Sequence, residues 1–292
     1  MSNFILFADS TCDLSKDIID KLDIKYIGLS CTLKGETYTE DCGETLSYKE
    51  FYRILREENE MPTTSQVNAY RFKEAFEPYI KENLSVIYIA FSSALSGTYN
   101  SSLIAKEELL EEYPNADITI IDSKSASTGL GLLVYYAGIM RQEGKTKEEI
   151  ATWIEENKLK VCHFFTVDSL DHLKRGGRIS PTAAAIGSLL QIKPVLYTND
   201  NGELKNFAKV KGRKKAIRAL YEKFENHVVN PEEQVIFISH GDCLEDAEAL
   251  AKMIKDNYTV KDIIFNYVGS TIGCHTGAGV LTYFFLGSRR EP

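Results

Sequence analysis

Apolar, β-rich runs that end in a polar turn and pass directly into a helical pattern recur along this chain of 292 residues, and that recurrence limits the fold more than any other feature. Val86-Ile87-Tyr88-Ile89-Ala90-Phe91 is the fullest run; Ser92-Ser93-Ala94-Leu95-Ser96-Gly97-Thr98 follows, then a helical pattern from about Tyr99 to Glu112. Phe4 to Ala8 leads likewise through Asp9-Ser10-Thr11-Cys12-Asp13 to a helix at 16–21. Asp117 to Asp122 leads to a long apolar helix from about Ser127 to Glu143, with an amphipathic helix from Glu148 to Asn157 after it. Runs without apolar/polar alternation, separated by helices, predict a parallel sheet covered by helices on its faces. Ligands of such sheets bind at the carboxyl ends of the strands. Free N–H groups and the helix dipole favour an anion there. Hydroxyl-rich turns add hydrogen-bond donors without adding charge.

The pattern changes near residue 160. A strand is expected over Val161 to Val167, followed by a small-residue helix from Pro181 to Leu190, which another segment can approach closely. Runs at 192–197 and 204–210 flank Asn199-Asp200-Asn201-Gly202 and predict a β-hairpin. Helices at 214–228 and 244–257 alternate with strands at 234–239 and 262–268. A glycine-rich turn, Gly273 to Gly279, precedes a last apolar run, Val280 to Leu286; the polar tail Ser288 to Pro292 is expected to fray. The expectation is an α/β chain of two domains. Residues 1–160 form a Rossmann-like parallel-sheet domain, and 161–292 form an α/β domain with a mixed sheet.

Composition narrows the function. A net charge of −8 argues against a nucleic-acid surface. No apolar run approaches the ~20 residues of a membrane span, so no integral membrane segment is expected, although transient contact with a membrane surface is allowed. The start of the chain lacks a basic leader and meets Asp9 early, which predicts a cytoplasmic protein. Six scattered cysteines without a CxxC pair read as free thiols. His and Cys spacings do not assemble four zinc ligands, so no metal is expected. The Gly273 turn lacks the Lys-Ser/Thr ending of a phosphate-binding loop, and no GxSxG elbow occurs.

Singly, the hydroxyl turns read as helix caps: Ser96 or Thr98 for the helix after them, Asp13 or Ser15 for 16–21, Ser65 or Asn68 for the helix carrying Phe72 and Phe76. Ser47 and Glu50 fit a capping box. His275 alone reads as a turn histidine, and Arg175 to Arg178 as a solvated loop. Together the segments Asp9-Ser10-Thr11-Cys12-Asp13, Thr63-Thr64-Ser65-Gln66, Ser93-Ala94-Leu95-Ser96-Gly97-Thr98-Tyr99, Leu173-Lys174-Arg175-Gly176-Gly177-Arg178-Ile179 and Gly273-Cys274-His275-Thr276-Gly277 are more specific.

In that combination, from residue 4 to about 286, the chain resembles the DegV family of bacterial fatty-acid-binding proteins. The resemblance implies a long-chain fatty acid, such as palmitate, stearate or oleate, in a tunnel between two α/β domains. It also implies a separate fatty acid kinase that phosphorylates the carboxylate to an acyl phosphate for phospholipid metabolism. The chain itself is then a non-catalytic carrier without a cofactor. Carried over residue by residue, Thr64 and Ser96 hold the carboxylate with His275 close by, and Ser65, Ser93, Asp9 and Ser10 form a supporting polar shell. Arg175 and Arg178 meet the kinase. Val67 and Ala278 stand where the family often has Pro, which puts the entry of the helix after Gln66 and the last turn in question. Phe164, Ala185, Ile186 and Leu189 are tunnel-wall candidates. The rival reading is a serine hydrolase or acyltransferase with Ser96 or Ser93 as nucleophile, His275 as base and Asp9 as the orienting acid.

Overall fold

The computed structural model describes residues 4–58, 60–180 and 191–292. In chain order the elements are β1 (Phe4–Asp9), α1 (Lys16–Lys21), β2 (Lys25–Ile27), β3 (Ser30–Leu33), β4 (Glu36–Thr39), α2 (Tyr48–Glu57), β5 (Thr63–Ser65), α3 (Ala69–Lys81), β6 (Ser85–Ala90), α4 (Thr98–Glu112), β7 (Ile118–Asp122), α5 (Thr128–Gln142), α6 (Lys147–Asn157), β8 (Val161–Thr166), α7 (Asp171–Arg175), β9 (Ile192–Thr198), β10 (Leu204–Lys211), α8 (Arg213–His227), β11 (Val235–His240), α9 (Leu244–Asn257), β12 (Asp262–Tyr267), α10 (Ser270–Thr276) and β13 (Leu281–Leu286).

Strands β2-β1-β6-β7 form a wholly parallel sheet, as the unbroken apolar runs predict. The second sheet, β10-β9-β8-β13-β11-β12, is mixed: only β11 and β12 pair in parallel. The expected hairpin is β9–β10, with a register shift between Asn206 and Ala208. Helix α5 is apolar on most sides, and Leu130, Leu132, Leu133, Val134 and Ala137 are fully buried. It packs between the sheets, joining Leu6 and Ile89 of the first to Phe237 and Phe284 of the second in one core. A helix this apolar has to be covered on both sides. Each fully buried Leu contributes roughly 1.5–3 kcal/mol.

Several local expectations are corrected. Thr63–Ser65 is the edge strand of a three-stranded antiparallel sheet, β4-β3-β5, and not a helix start. Of the two expected caps of helix α3, Asn68 is the one used: its side chain accepts from the Arg71 N–H at 3.0 Å. Ser15 precedes α1 without a capping bond, and Asp13 instead accepts from the Ser127 hydroxyl at 2.5 Å. Ser47 accepts from the Glu50 N–H, but the Glu50 carboxylate turns to Arg53, so only half a capping box forms. Thr146 and Glu149 make the complete one. The glycine-rich segment is mostly helix α10, packed on α7, α2 and β3. The tail is anchored and not frayed: the Glu291 carbonyl meets His227 Nε2 at 3.0 Å, and Arg290 is 1 % exposed. The small-residue helix expected at 181–190, with Ala185, Ile186 and Leu189, lies outside the described residues. Phe164 is buried against α8, on the face of the second sheet turned away from α5.

Candidate functional site

A cavity opens between the carboxyl edge of the parallel sheet and the α5-facing side of the mixed sheet. It holds about 170 Å³ of space, counted at the centres of the waters it could admit. One water needs about 10–15 Å³ on that measure, so the cavity is of ligand size. Leu29, Phe91, Leu95, Phe165, Val268 and Phe284 make most of its wall apolar. An apolar lining with a few convergent polar groups is what a small-molecule site requires.

The polar groups converge at one part of the wall, where Thr64, Ser96, Gln66, Arg178 and His275 all line the cavity. Thr64 Oγ1 lies 2.8 Å from His275 Nε2. Strand pairing places Thr64 opposite Cys31 on β3, and Cys31 Sγ is 3.1 Å from Cys274 Sγ, beside His275. Sheet and helix therefore brace the Thr64–His275 pair from behind. Burial lowers the His275 pKa to about 4, with the charges of Arg178 and His172 adding to the effect. The ring is neutral at pH 7. If its proton sits on Nε2, the ring donates to Thr64, and the Thr64 O–H is left free to donate into the cavity. Ser96 Oγ accepts from the Thr98 N–H at 3.2 Å and pairs with Thr98 Oγ1 at 2.9 Å, at the start of α4.

The glycines of two segments have steric reasons. A Cβ on Gly176 would lie 2.2 Å from His275 Nδ1. Gly177 has φ +73°, which L side chains rarely adopt. The chain thus wraps the imidazole edge and turns back, so that Arg178 Nε donates to the Leu95 carbonyl at 3.0 Å and Nη1 to the Gly176 carbonyl at 2.5 Å. A Cβ on Gly97 would lie 2.2 Å from Gln66 Oε1. Its absence lets Gln66 cross the start of α4 and donate to Ser101 Oγ at 2.9 Å.

The other expected residues disperse. Ser65 is exposed and pairs with Ser30 across the small sheet. Ser93 is exposed, and its hydroxyl accepts from Lys124 at 3.0 Å. Asp9 is fully buried and accepts from Thr11, Tyr88 and the Phe91 N–H; burial raises its pKa. Ser10 accepts from the Leu29 N–H. None of these four lines the cavity; Asp9 and Ser10 shape the turns behind it. Arg175 is exposed, whereas Arg178, expected on a partner surface, is half-buried in the cavity wall. The hydrolase relay does not assemble: His275 bonds Thr64 and not a serine, and Asp9 is committed to other donors. Sequence reasoning passed over His163, Ser127, Thr198 and Thr282, which also line the cavity. The alternation along β8, β9 and β13 would have put His163, Thr198 and Thr282 on one sheet face, but not against a cavity. Among the described residues no group of three or more His, Cys, Asp or Glu could hold a metal ion, and no helix is long and apolar enough to cross a membrane.

Comparison with known proteins bears on this geometry. The model of a family described as "Uncharacterised protein, DegV family" matches residues 3–288. The DegV domain-containing protein CPE0026 of Clostridium perfringens is 60% identical over the full length of both chains. The crystal structure of DegV, a fatty acid binding protein from Bacillus subtilis, shares 31% identity, with a TM-score of 0.84 over 99% of this chain and 100% of that one. A DegV lipid binding protein of Thermotoga maritima shares 30%, with a TM-score of 0.85 over the whole of both chains. A match across nearly the whole chain, carried by the same α/β architecture, makes this protein a member of the DegV family.

Proposed function

We propose that the protein binds a long-chain fatty acid in this cavity, with its carboxylate at Thr64, Ser96 and His275, and presents it to a separate ATP-dependent kinase that converts it to an acyl phosphate. The observation that carries the reading is the Thr64–His275 pair at the polar part of an otherwise apolar cavity. A carboxylate leaving water has to regain hydrogen bonds, each charge-assisted one contributing about 1.5–3 kcal/mol. Neutral hydroxyls supply them, with the neutral imidazole donating to Thr64 from behind, and leave the oxygens nucleophilic. A bidentate Arg clamp would neutralise them more fully, and two Arg178 donors are already held by the Leu95 and Gly176 carbonyls. On this reading residues 1–160 and 161–292 are two domains enclosing the lipid in the cytoplasm, and exposed Arg175 faces the kinase.

Native mass spectrometry of freshly purified protein, followed by denaturing extraction, tests the carrier role. A near-stoichiometric fatty acid is expected, lost or much reduced in Thr64→Ala and Ser96→Ala. A bare chain that takes up no added oleate or palmitate refutes it. Acyl phosphate, trapped as hydroxamate in the presence of ATP and a cell extract, tests the kinase step. Arg175→Ala should slow that step with lipid occupancy unchanged.

A further inference from the structure

The tail places a buried cation behind part of the cavity wall. Arg290 Nε donates to the Val161 carbonyl at 3.0 Å, and Nη1 to the carbonyls of Lys124 at 2.6 Å and Asn199 at 3.3 Å. Nη2 donates to Ser125 Oγ at 3.2 Å and to the Lys158 carbonyl. Burial lowers its pKa to about 10, so the guanidinium stays charged at neutral pH. A charge solvated by carbonyl dipoles uses the rigid five-donor fork to join several segments at once.

Those segments carry part of the cavity wall. Ser125 precedes Ala126 and Ser127, Asn199 follows Thr198, and Val161 lies two residues before His163; Ala126, Ser127, Thr198 and His163 all line the cavity. The 124–127 turn is unusual backbone: Lys124 and Ser127 both have φ +52°. Non-glycine residues keep such angles only where the surroundings over-determine them. Arg290 supplies two of those constraints, at the Lys124 carbonyl and the Ser125 hydroxyl, and the Ser127 hydroxyl bond to Asp13 supplies a third.

We infer that the acyl chain ends against the wall held by Arg290, which makes Arg290 a positioning residue that sets the longest chain the site accepts. The inference rests on the fatty-acid reading above. Without the guanidinium, the 124–127 turn relaxes, the wall recedes, and a longer chain occupies the space. Each further methylene buried then strengthens binding by about fourfold.

The test loads the full-length protein from an equimolar mixture of myristate, palmitate, stearate and arachidate. Native mass spectrometry reads both total occupancy and the composition of the bound acids. Arg290→Met keeps the bulk and removes the donors. It should raise the arachidate-to-palmitate ratio at least fivefold at comparable occupancy, with Arg290→Lys intermediate. Ala126→Leu fills the same wall and should shift the composition toward myristate. If Arg290→Met does not fold, Arg290→Lys and Ser125→Ala are read in its place, with the same direction expected. Unchanged composition at equal occupancy overturns the inference, and so does a uniform fall in occupancy across all four acids, which would mark a purely structural role. A wild-type protein that takes up none of them overturns the carrier reading instead, and this inference with it.

Discussion

Gly176→Ala separates binding from folding. The added Cβ would meet His275 Nδ1 at 2.2 Å, His275 Cε1 at 3.0 Å and the His172 carbonyl oxygen at 3.2 Å. Ordinary contact needs about 3.5 Å, so the imidazole has to move by roughly 1 Å. The 2.8 Å bond to Thr64 does not keep its geometry through such a shift. With His275 displaced, Thr64 is no longer oriented to donate to the carboxylate, and a charge-assisted bond of that kind contributes about 1.5–3 kcal/mol. A loss of roughly 2 kcal/mol from that one bond corresponds to about 30-fold weaker carboxylate binding. Folding loses the Thr64–His275 bond, about 1 kcal/mol, and regains most of it at position 176. Gly176 sits at φ −69°, ψ −10°, which alanine adopts freely, and replacing glycine there restricts the unfolded chain, a gain of about 0.4–1 kcal/mol. Gly177→Ala is the counterpart: nothing lies within 4 Å of its Cβ, but φ is +73°, so it should cost about 1–2 kcal/mol of stability and leave His275 in place. Displacement of a fluorescent fatty acid and thermal denaturation read the two effects, and Gly176→Ala combined with His275→Ala should be no worse than His275→Ala alone. Palmitate bound by Gly176→Ala as tightly as by wild type, or lost equally in Gly177→Ala, would refute the argument.

Other expectations can be checked alongside. Thr64→Val keeps the shape and removes the hydroxyl, and should weaken palmitate binding by about tenfold while Thr64→Ser retains most of it; equal affinities for Thr64→Val and wild type would deny Thr64 its role. His275 has a folded pKa of about 4, below the 6.5 of the free side chain, so its contribution to stability is complete above about pH 6.5 and is lost as the pH falls from there through about 4. The ceiling of that loss is about 3 kcal/mol. Urea denaturation of His275→Gln should therefore show a flatter stability profile than wild type across this window, and superimposable profiles would contradict the assignment. Gly97→Ala should displace Gln66 from Ser101 and cost about 1 kcal/mol by thermal melting; a crystal structure of the variant with Gln66 unmoved would count against the steric account.

The strands Phe4–Asp9, Ser85–Ala90 and Ile118–Asp122 were legible in the sequence because strands buried on both faces need continuous apolar runs, and those runs read locally. The hairpin was legible from its turn residues, and the motif segments from their composition. The strand Thr63–Ser65 was not: it has two exposed hydroxyl residues and no apolar pattern, and it is a strand because β3 offers it a ladder. Helix α10 was hidden by its glycine, and packing on α7, α2 and β3 supports a helix that its sequence does not advertise. The site is a tertiary product. Thr64 and His275 are 211 residues apart, and only the approach of β5 to α10 makes them partners. Arg178 reads as surface charge until the two glycines before it fold the chain back on His275. Arg290 sits in a tail that looks disordered from composition, yet carbonyls of Lys124, Lys158, Val161 and Asn199 bury it. The sequence by itself determined which segments are strands, which turns carry hydroxyls and which family the chain resembles, since side-chain chemistry and spacing are local. The tertiary structure alone decided which polar groups meet and where the cavity closes, because backbone carbonyls and steric gaps at glycine leave no mark in residue type until distant segments are brought together.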